Sequence, residues 1–416
     1  MIIDSLEELA LNIDNREWIL IPIQTEHRTH PSNTTVTALY ITDISCSDSF
    51  IVPIDHTEAF GELSLHNIIG IFKDMSVYTV DRKSWRNLEC NPHDLSLIFF
   101  LHGDRFDQLP TLDSYYEKWN SFNNINRLIP LSILYDAYYN FFKKNSNYID
   151  KFVDYLPIIE TDTYINYIET IDSFYAIESN GLRTTDGWEY SQYYLWNYTG
   201  RPSNRFNKVN YAALRKDDNT RSRYVSRFTD GYLALFDYEA FHPNIIAKYT
   251  HTSVSRDSSL HYQLGQHYYN AELLTDEQLA ESKKKTFYHL YGNIPDELTS
   301  IDFYKNARTL IDSFADKSHI ESPIYKRKIN TDGFSKQKSF NYFLQAFESE
   351  INFIKIRQLN QYLSDKKSKL ILYIYDAFLL DVHPDESTIL DEVSKILEGS
   401  HFKVSVQCGA NYKDLK

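Results

Sequence analysis

The chain has 416 residues, 42% of them apolar and 15% aromatic, which is enough for two or three domains and excludes a disordered protein. Its formal charge of −14, from 43 Lys and Arg against 57 Asp and Glu, excludes indiscriminate nucleic-acid binding. Any contact with a polyanion must come from a local concentration of basic residues.

No apolar run approaches the roughly 20 residues a bilayer span requires. The acidic start, MIIDSLEELALNID, has no basic region before an apolar core, so no signal peptide is expected. Cys46, Cys90 and Cys408 lie far apart without metal-ligand spacing and point to a reducing compartment. Tyr is abundant at 33, while Gly and Pro number 12 each, a balance that favours long helices over tight hairpins.

Residues 1–120 read as mixed α/β, with strands expected at 17–23 (EWILIPI), 36–41 (VTALYI) and 50–54 (FIVPI), and a buried strand or short helix at 96–101. Residues 105–180 read as helical. Ile133, Leu134, Tyr138, Phe141 and Phe142 keep helical spacing, as do Phe152, Tyr155, Ile158 and Ile159, with Pro157 marking a break. The stretch AIESNGLRTTD continues a helix through Glu178, closed by Gly181 in an expected left-handed cap. Arg201, Arg205, Lys208, Arg215, Lys216, Arg221, Arg223 and Arg227 then face only Asp217 and Asp218, an expected basic lining inside an acidic shell.

Two later stretches share a design. In YLALFDYEAFHPNIIA (232–247), four apolar residues form a strand that ends on Asp237, and a helical pattern leads away through Phe241, Ile245 and Ile246. Residues 370–375 form a second apolar strand ending on Asp376. If the strands pair, two hard oxygen ligands suited to magnesium sit side by side. An Asp at a strand end is equally a turn or helix cap, and only the order of the flanking stretches decides between these readings.

That order resembles the family A DNA polymerases, particularly their short phage-type members, over about residues 177–416. Thr199-Gly200-Arg201-Pro202-Ser203-Asn204, followed by Asn207 and Asn210, is similar to the family's T-G-R-x-S and N-x-x-N, which contact the primer–template backbone. Asp237-Tyr238 resembles the start of D-Y-S-Q-I-E, with His242 in place of the Glu that helps exclude a ribose 2′-hydroxyl. Lys283, Phe287, Tyr291 and Gly292 match the fingers pattern R-x3-K-x3-F-x3-Y-G, and the four-residue steps put the three side chains on one helical face. Leu279 stands where that pattern has its Arg, so Lys283 would need help from Lys284 or Arg227. Asn341 and Gln345 resemble N-x-P-x-Q-G, whose Gln reads the primer-terminal pair. Residues 372–382 resemble the V-H-D-E hairpin, with Asp376 matching the essential acid, Tyr375 replacing His and Ala377 replacing Glu.

The resemblance implies an α+β right-hand fold with an antiparallel palm sheet (181–258 and 336–416), helical fingers (259–335) and a reduced helical thumb (121–180). It implies an N-terminal exonuclease-like domain over 1–120. There Gln24-Thr25-Glu26 replaces the metal-binding Asp-x-Glu, so no proofreading is expected. Asp237 and Asp376 would be the catalytic and metal-binding residues, holding two Mg²⁺ ions or Mn²⁺ in their place. Lys283, Phe287, Tyr291, His242, Tyr238 and Arg227 would meet the nucleotide. Arg201, Asn204, Asn207, Asn210, Gln345 and Gly292 would meet primer–template DNA. The implied partners are that DNA, dNTPs and replication accessory proteins, with no membrane, in a cytoplasmic phage or viral protein. The rival readings are a primer–template binding protein without synthesis, a single-subunit RNA polymerase, and an unrelated two-carboxylate hydrolase.

Overall fold

The computed structural model describes all residues except 28, 62, 87–89, 120, 205–208, 215–218, 256 and 416, and gives only the backbone of 146–149. The chain divides into two compact units, Met1–Asp172 and Ser173–Lys416, each mixing helices with a sheet.

The first unit is built on five strands. In spatial order they are Ser49–Pro53, Val36–Asp43, Trp18–Gln24, Val77–Thr79 and His93–Asp94, the first three antiparallel and the last two parallel to Trp18–Gln24. Both central strands read as nearly continuous apolar runs because both faces are covered. On one face Trp18, Leu20, Leu39 and Ile41 pack with Ile68, Phe72 and Trp85. On the other, Tyr40 stacks on Tyr138 and Phe142 of the helix Leu131–Lys144, as the period of two requires.

The ambiguous run at 96–101 is a helix, Leu95–Leu101, and it is buried on every side. Full burial removes the polar stripe by which a helix is usually recognised. Pro157 lies in the first turn of a 3₁₀ segment, Leu156–Glu160, which separates the helix Ser146–Tyr155 from Asp162–Asn180.

The second unit is organised by a four-stranded antiparallel sheet ordered Lys369–Ile374, Ala377–Val382, Tyr232–Tyr238, Val404–Gly409. The helix Lys336–Tyr362 is buried on all sides through its middle, where Glu348, Ser349, Glu350 and Asn352 join Phe347, Ile351 and Phe353 in the interior. Such a helix carries polar groups inward only if each has a partner. The helices Leu260–Tyr269 and Asp276–Tyr291 pack tightly at Gly265, where an added Cβ would lie 2.4 Å from Ser282 Oγ. Asp276–Tyr291 starts on a capping box formed by Thr275 and Gln278. Gly181 follows Asp162–Asn180 at φ +60°, the left-handed position the sequence predicts. No described helix is long and apolar enough to cross a membrane.

Candidate active site

The strand Tyr232–Tyr238 pairs on both sides, so its end is held rigidly. Asp237 is in register with Ala377 on one neighbour and Ser405 on the other. Alternation along the strand sends Tyr238 the opposite way. Its ring stacks on Phe241 at 4.1 Å, and its hydroxyl donates to Leu397 O at 3.0 Å. The Tyr238 ring thus packs toward the core, while the residue also contributes to the cleft lining.

Asp376 occupies the two-residue turn between Lys369–Ile374 and Ala377–Val382. Tyr375, the other turn residue, has φ +57°, a left-handed conformation that costs energy for a bulky side chain. Three contacts hold the turn. Asn352 Nδ2 donates to Tyr375 O at 2.8 Å and to the Tyr373 hydroxyl at 3.0 Å. Tyr238 N donates to Asp376 O at 3.3 Å. The Arg201 guanidinium lies 4.0 Å from the centre of the Tyr375 ring.

Asp237 and Asp376 open into one cleft of about 690 Å³, lined also by Arg201, Tyr238, Glu239, Ala240, Phe241, His242, Ser259, His261, Leu279, Lys283, Phe287, Tyr291 and Ser405. The Asp376 carboxyl is pushed up to about 6, first by burial and then by the negative charges of Asp237 and Glu348. Two carboxylates that repel each other at the mouth of a cleft form a donor set that a divalent cation relieves, and the pair fits such an ion. Among the described residues there is no cluster of three or more candidate ligands.

Across the cleft, Lys283, Phe287 and Tyr291 share one face of Asp276–Tyr291. The rings of Phe287 and Tyr291 are near-parallel with centroids 5.9 Å apart, and His261 adds a third ring 5.4 Å from Phe287. This is an aromatic ladder beside a lysine. Lys285 and Glu281 pair on another face of the helix.

Several expected contacts are placed elsewhere. Arg227 is not in the cleft: its Nε donates to Asp381 Oδ2 at 2.8 Å, its Nη2 to Gly181 O at 3.0 Å, and it lies over Trp188. Asp381 is fully buried near the far end of the strand that begins at Ala377, and its charge holds Arg227 there. The expected help for Lys283 is corrected accordingly. Arg201 reaches the cleft, but Glu348 engages it in a two-pronged ion pair of 2.9–3.0 Å. The pair occupies the Nε and Nη2 edge of the guanidinium, and the side chain stays 26% exposed in the cleft lining.

The other described members of the wider basic lining also have partners within the protein. Arg221 is buried and donates to Leu214 O, and Arg223 pairs with Glu189 at 2.8 Å. Arg205, Asn207, Lys208, Arg215 and Lys216 lie outside the described residues. Asn204 and Asn210 line a separate hollow of about 390 Å³ with Tyr211, Tyr373 and Tyr375. Gln345, half-buried, donates to Asn341 Oδ1 at 3.1 Å and is not among the cleft-lining residues. Gly292 is the C-cap of the Lys283 helix and likewise lies off the lining.

In the first unit, Glu26 Oε2 accepts from Asn124 N at 3.1 Å. Asp94 accepts from Leu97 N and Arg82 N at 2.9 Å, so it caps a helix.

Sequence reasoning missed one residue of the cleft and one buried behind it. His261 is buried, and its Nδ1 finds no hydrogen-bond partner among the described residues. Burial and then Lys283 push its imidazole down to about 4, so it is neutral at pH 7. Glu348 is the second, and the only local signal for it is an acid inside an apolar helical pattern.

No family model matches the chain, and no curated protein matches it. Among solved structures it is similar to the POL domain of Pol1 from M. smegmatis, solved in complex with DNA primer–template and dNTP. The TM-score is 0.69 at 12% identity, covering 99% of this chain and 97% of that one. At that identity the likeness is one of fold.

Proposed function

We propose that the chain is a template-directed DNA polymerase that adds deoxynucleotides to a primer 3′ end. One observation carries this reading: Asp237, on a strand, and Asp376, in the turn leading into the neighbouring strand, open into the same cleft as Lys283, Phe287 and Tyr291. The acids suit metal-assisted phosphoryl transfer, the lysine suits a triphosphate, and the rings suit a base.

On this reading 181–258 and 336–416 form the palm, 259–335 the fingers and 121–180 the thumb. Residues 1–120 form an exonuclease-like domain without its metal acids. The partners are primer–template DNA and dNTPs, the molecules present in the similar POL domain structure.

The chain's own residues divide the work. Asp237 and Asp376 would hold magnesium, which when bound lowers the pKa of the primer hydroxyl and neutralises charge on the phosphates. Lys283 binds the triphosphate. Phe287 backs the base, and the strand pairing fixes Asp237 so that positioning and electrostatics supply the rate.

Leu279, His242 and Ala377 favour a second reading, a protein that binds primer–template without synthesis. Extension of a labelled primer with dNTPs or rNTPs separates the possibilities. Template-dictated incorporation supports the polymerase, and the preferred nucleotide distinguishes DNA from RNA synthesis. Tight primer–template binding without incorporation supports the second reading. A mismatched 3′ end that is not degraded fits the absence of proofreading acids.

A further inference from the structure

Glu348 lies at 0% exposure on the long helix and is a costly charge to bury unless its oxygens are met. Oε1 accepts from Arg201 Nε at 3.0 Å and Nη2 at 2.9 Å. Oε2 accepts from Arg201 Nη2 at 2.9 Å and from His242 Nε2. Burial alone would raise the Glu348 carboxyl, but His242 and Arg201 together hold it below the ordinary value, so it is ionised. An ionised carboxylate only accepts, which puts a proton on His242 Nε2. That leaves His242 Nδ1 bonded to the Tyr291 hydroxyl.

One buried carboxylate thus orients a histidine, and the histidine orients a tyrosine on another helix. The same Arg201 that completes the Glu348 site also lies on Tyr375, next to Asp376. Both His242 and Tyr291 line the cleft. A nucleotide with its phosphates at Lys283 and the carboxylate pair, and its base against Phe287, has its sugar left against the His242–Tyr291 pair.

We propose that Glu348 is a positioning residue for sugar recognition: by fixing His242 and, through it, the Tyr291 hydroxyl, it sets the wall that sorts the 2′ position of the incoming nucleotide. The inference rests on the polymerase reading. Glu348 touches no substrate itself. Its effect passes through the histidine, as an outer partner orients a metal-bound imidazole. A carboxylate is required because a Gln would keep one accepting oxygen but turn a donating NH2 group toward either the Arg201 N–H groups or His242 Nε2–H, and so could not hold both partners as Glu348 does.

The test is single-nucleotide extension by the full chain, with dNTP and rNTP compared for the parent, E348Q, H242Q and the double variant. In E348Q the dNTP preference falls about tenfold, through KM, while kcat for the matched dNTP stays within about threefold. H242Q has a loss of similar size, and the double variant loses no more than either single, because both break one linkage. A purely structural role for Glu348 would lower the melting temperature and leave the preference at the parental value, and that result overturns the proposal. So does a double variant whose losses multiply. If E348Q does not fold, R201Q/E348Q leaves no lone buried charge and is read in the same way. A parent that extends no primer overturns the proposed function and this inference together. An active parent beside an unchanged E348Q overturns this inference alone.

Discussion

Asp94 ends a strand and Asp376 sits in the turn after one, and burial raises both carboxyls, to about 7 and about 6 respectively. Their surroundings differ. Asp94 is enclosed, its oxygens taken by the backbone N–H groups of Leu97 and Arg82. Asp376 faces a cleft, and its carboxyl is raised further by the charges of Asp237 and Glu348. A third acid, Asp381, shares a strand end-to-end with the Asp376 turn, but Arg227 and Ser226 saturate it. A shifted acid marks a reactive site only where its partners leave it facing an opening and another acid. The same residue type therefore serves as a cap, an ion-pair core and a candidate metal ligand within one chain.

The comparison can be broken most severely at Asp376. On this account Asp376→Asn, like Asp237→Asn, lowers extension by on the order of a thousandfold, the several kcal/mol that metal-assisted charge stabilisation supplies. Thermal unfolding stays near that of the parent, because the substitution removes a repelled charge. Arg227→Ala should do the reverse. It strands the buried Asp381 and costs about 3–5 kcal/mol of stability in denaturant titration, without a selective rise in the KM for dNTP. A rise confined to KM, with stability intact, would return Arg227 to the nucleotide.

Phe287→Ala sharpens the contrast between the aromatic ladder and the core aromatics. Loss of one stacking partner, about 1–3 kcal/mol, should raise the KM for dNTP with little effect on melting, since Phe287 is 39% exposed. The smallest effect is at Asp94. Its folded-state pKa lies above the unfolded value, so its contribution to stability is fully present below the ordinary carboxylate range. It is gone once pH has risen past about 7. Asp94→Asn keeps a capping oxygen and flattens that part of the pH–stability profile by up to about 1.4 kcal/mol per pH unit. An unchanged profile would place the titration elsewhere.

The sequence makes the scaffold of the cleft legible because its signals are local. An apolar run ending on Asp appears twice, and Lys283, Phe287 and Tyr291 recur at four-residue steps. Gly181 sits where only a left-handed cap fits. What escaped depends on contacts between distant stretches. Glu348 meets His242 across 106 positions and Arg201 across 147, and nothing within the helix 336–362 announces either partner. Asn352, which holds the Tyr375 turn, is hidden in the same way.

The four described arginines of the basic stretch 201–227 show the converse, since a sequence displays charge without its counter-charge. In the fold, Arg201, Arg223 and Arg227 each meet an acid distant in sequence or across a hairpin, and Arg221 meets a carbonyl. The run at 96–101 was ambiguous for a further reason: burial on every side erases the periodicity that separates helix from strand.

The central claim is that Asp237 and Asp376 together form the reactive centre of this cleft. The measurement that tests it most directly is extension of a 5′-labelled primer on a DNA template with Mg²⁺ and dNTPs, for the parent and Asp376→Asn at matched folded concentration. The account predicts template-directed extension by the parent and its near-complete loss in the variant, with primer–template binding retained. Equal extension by the two proteins would contradict it.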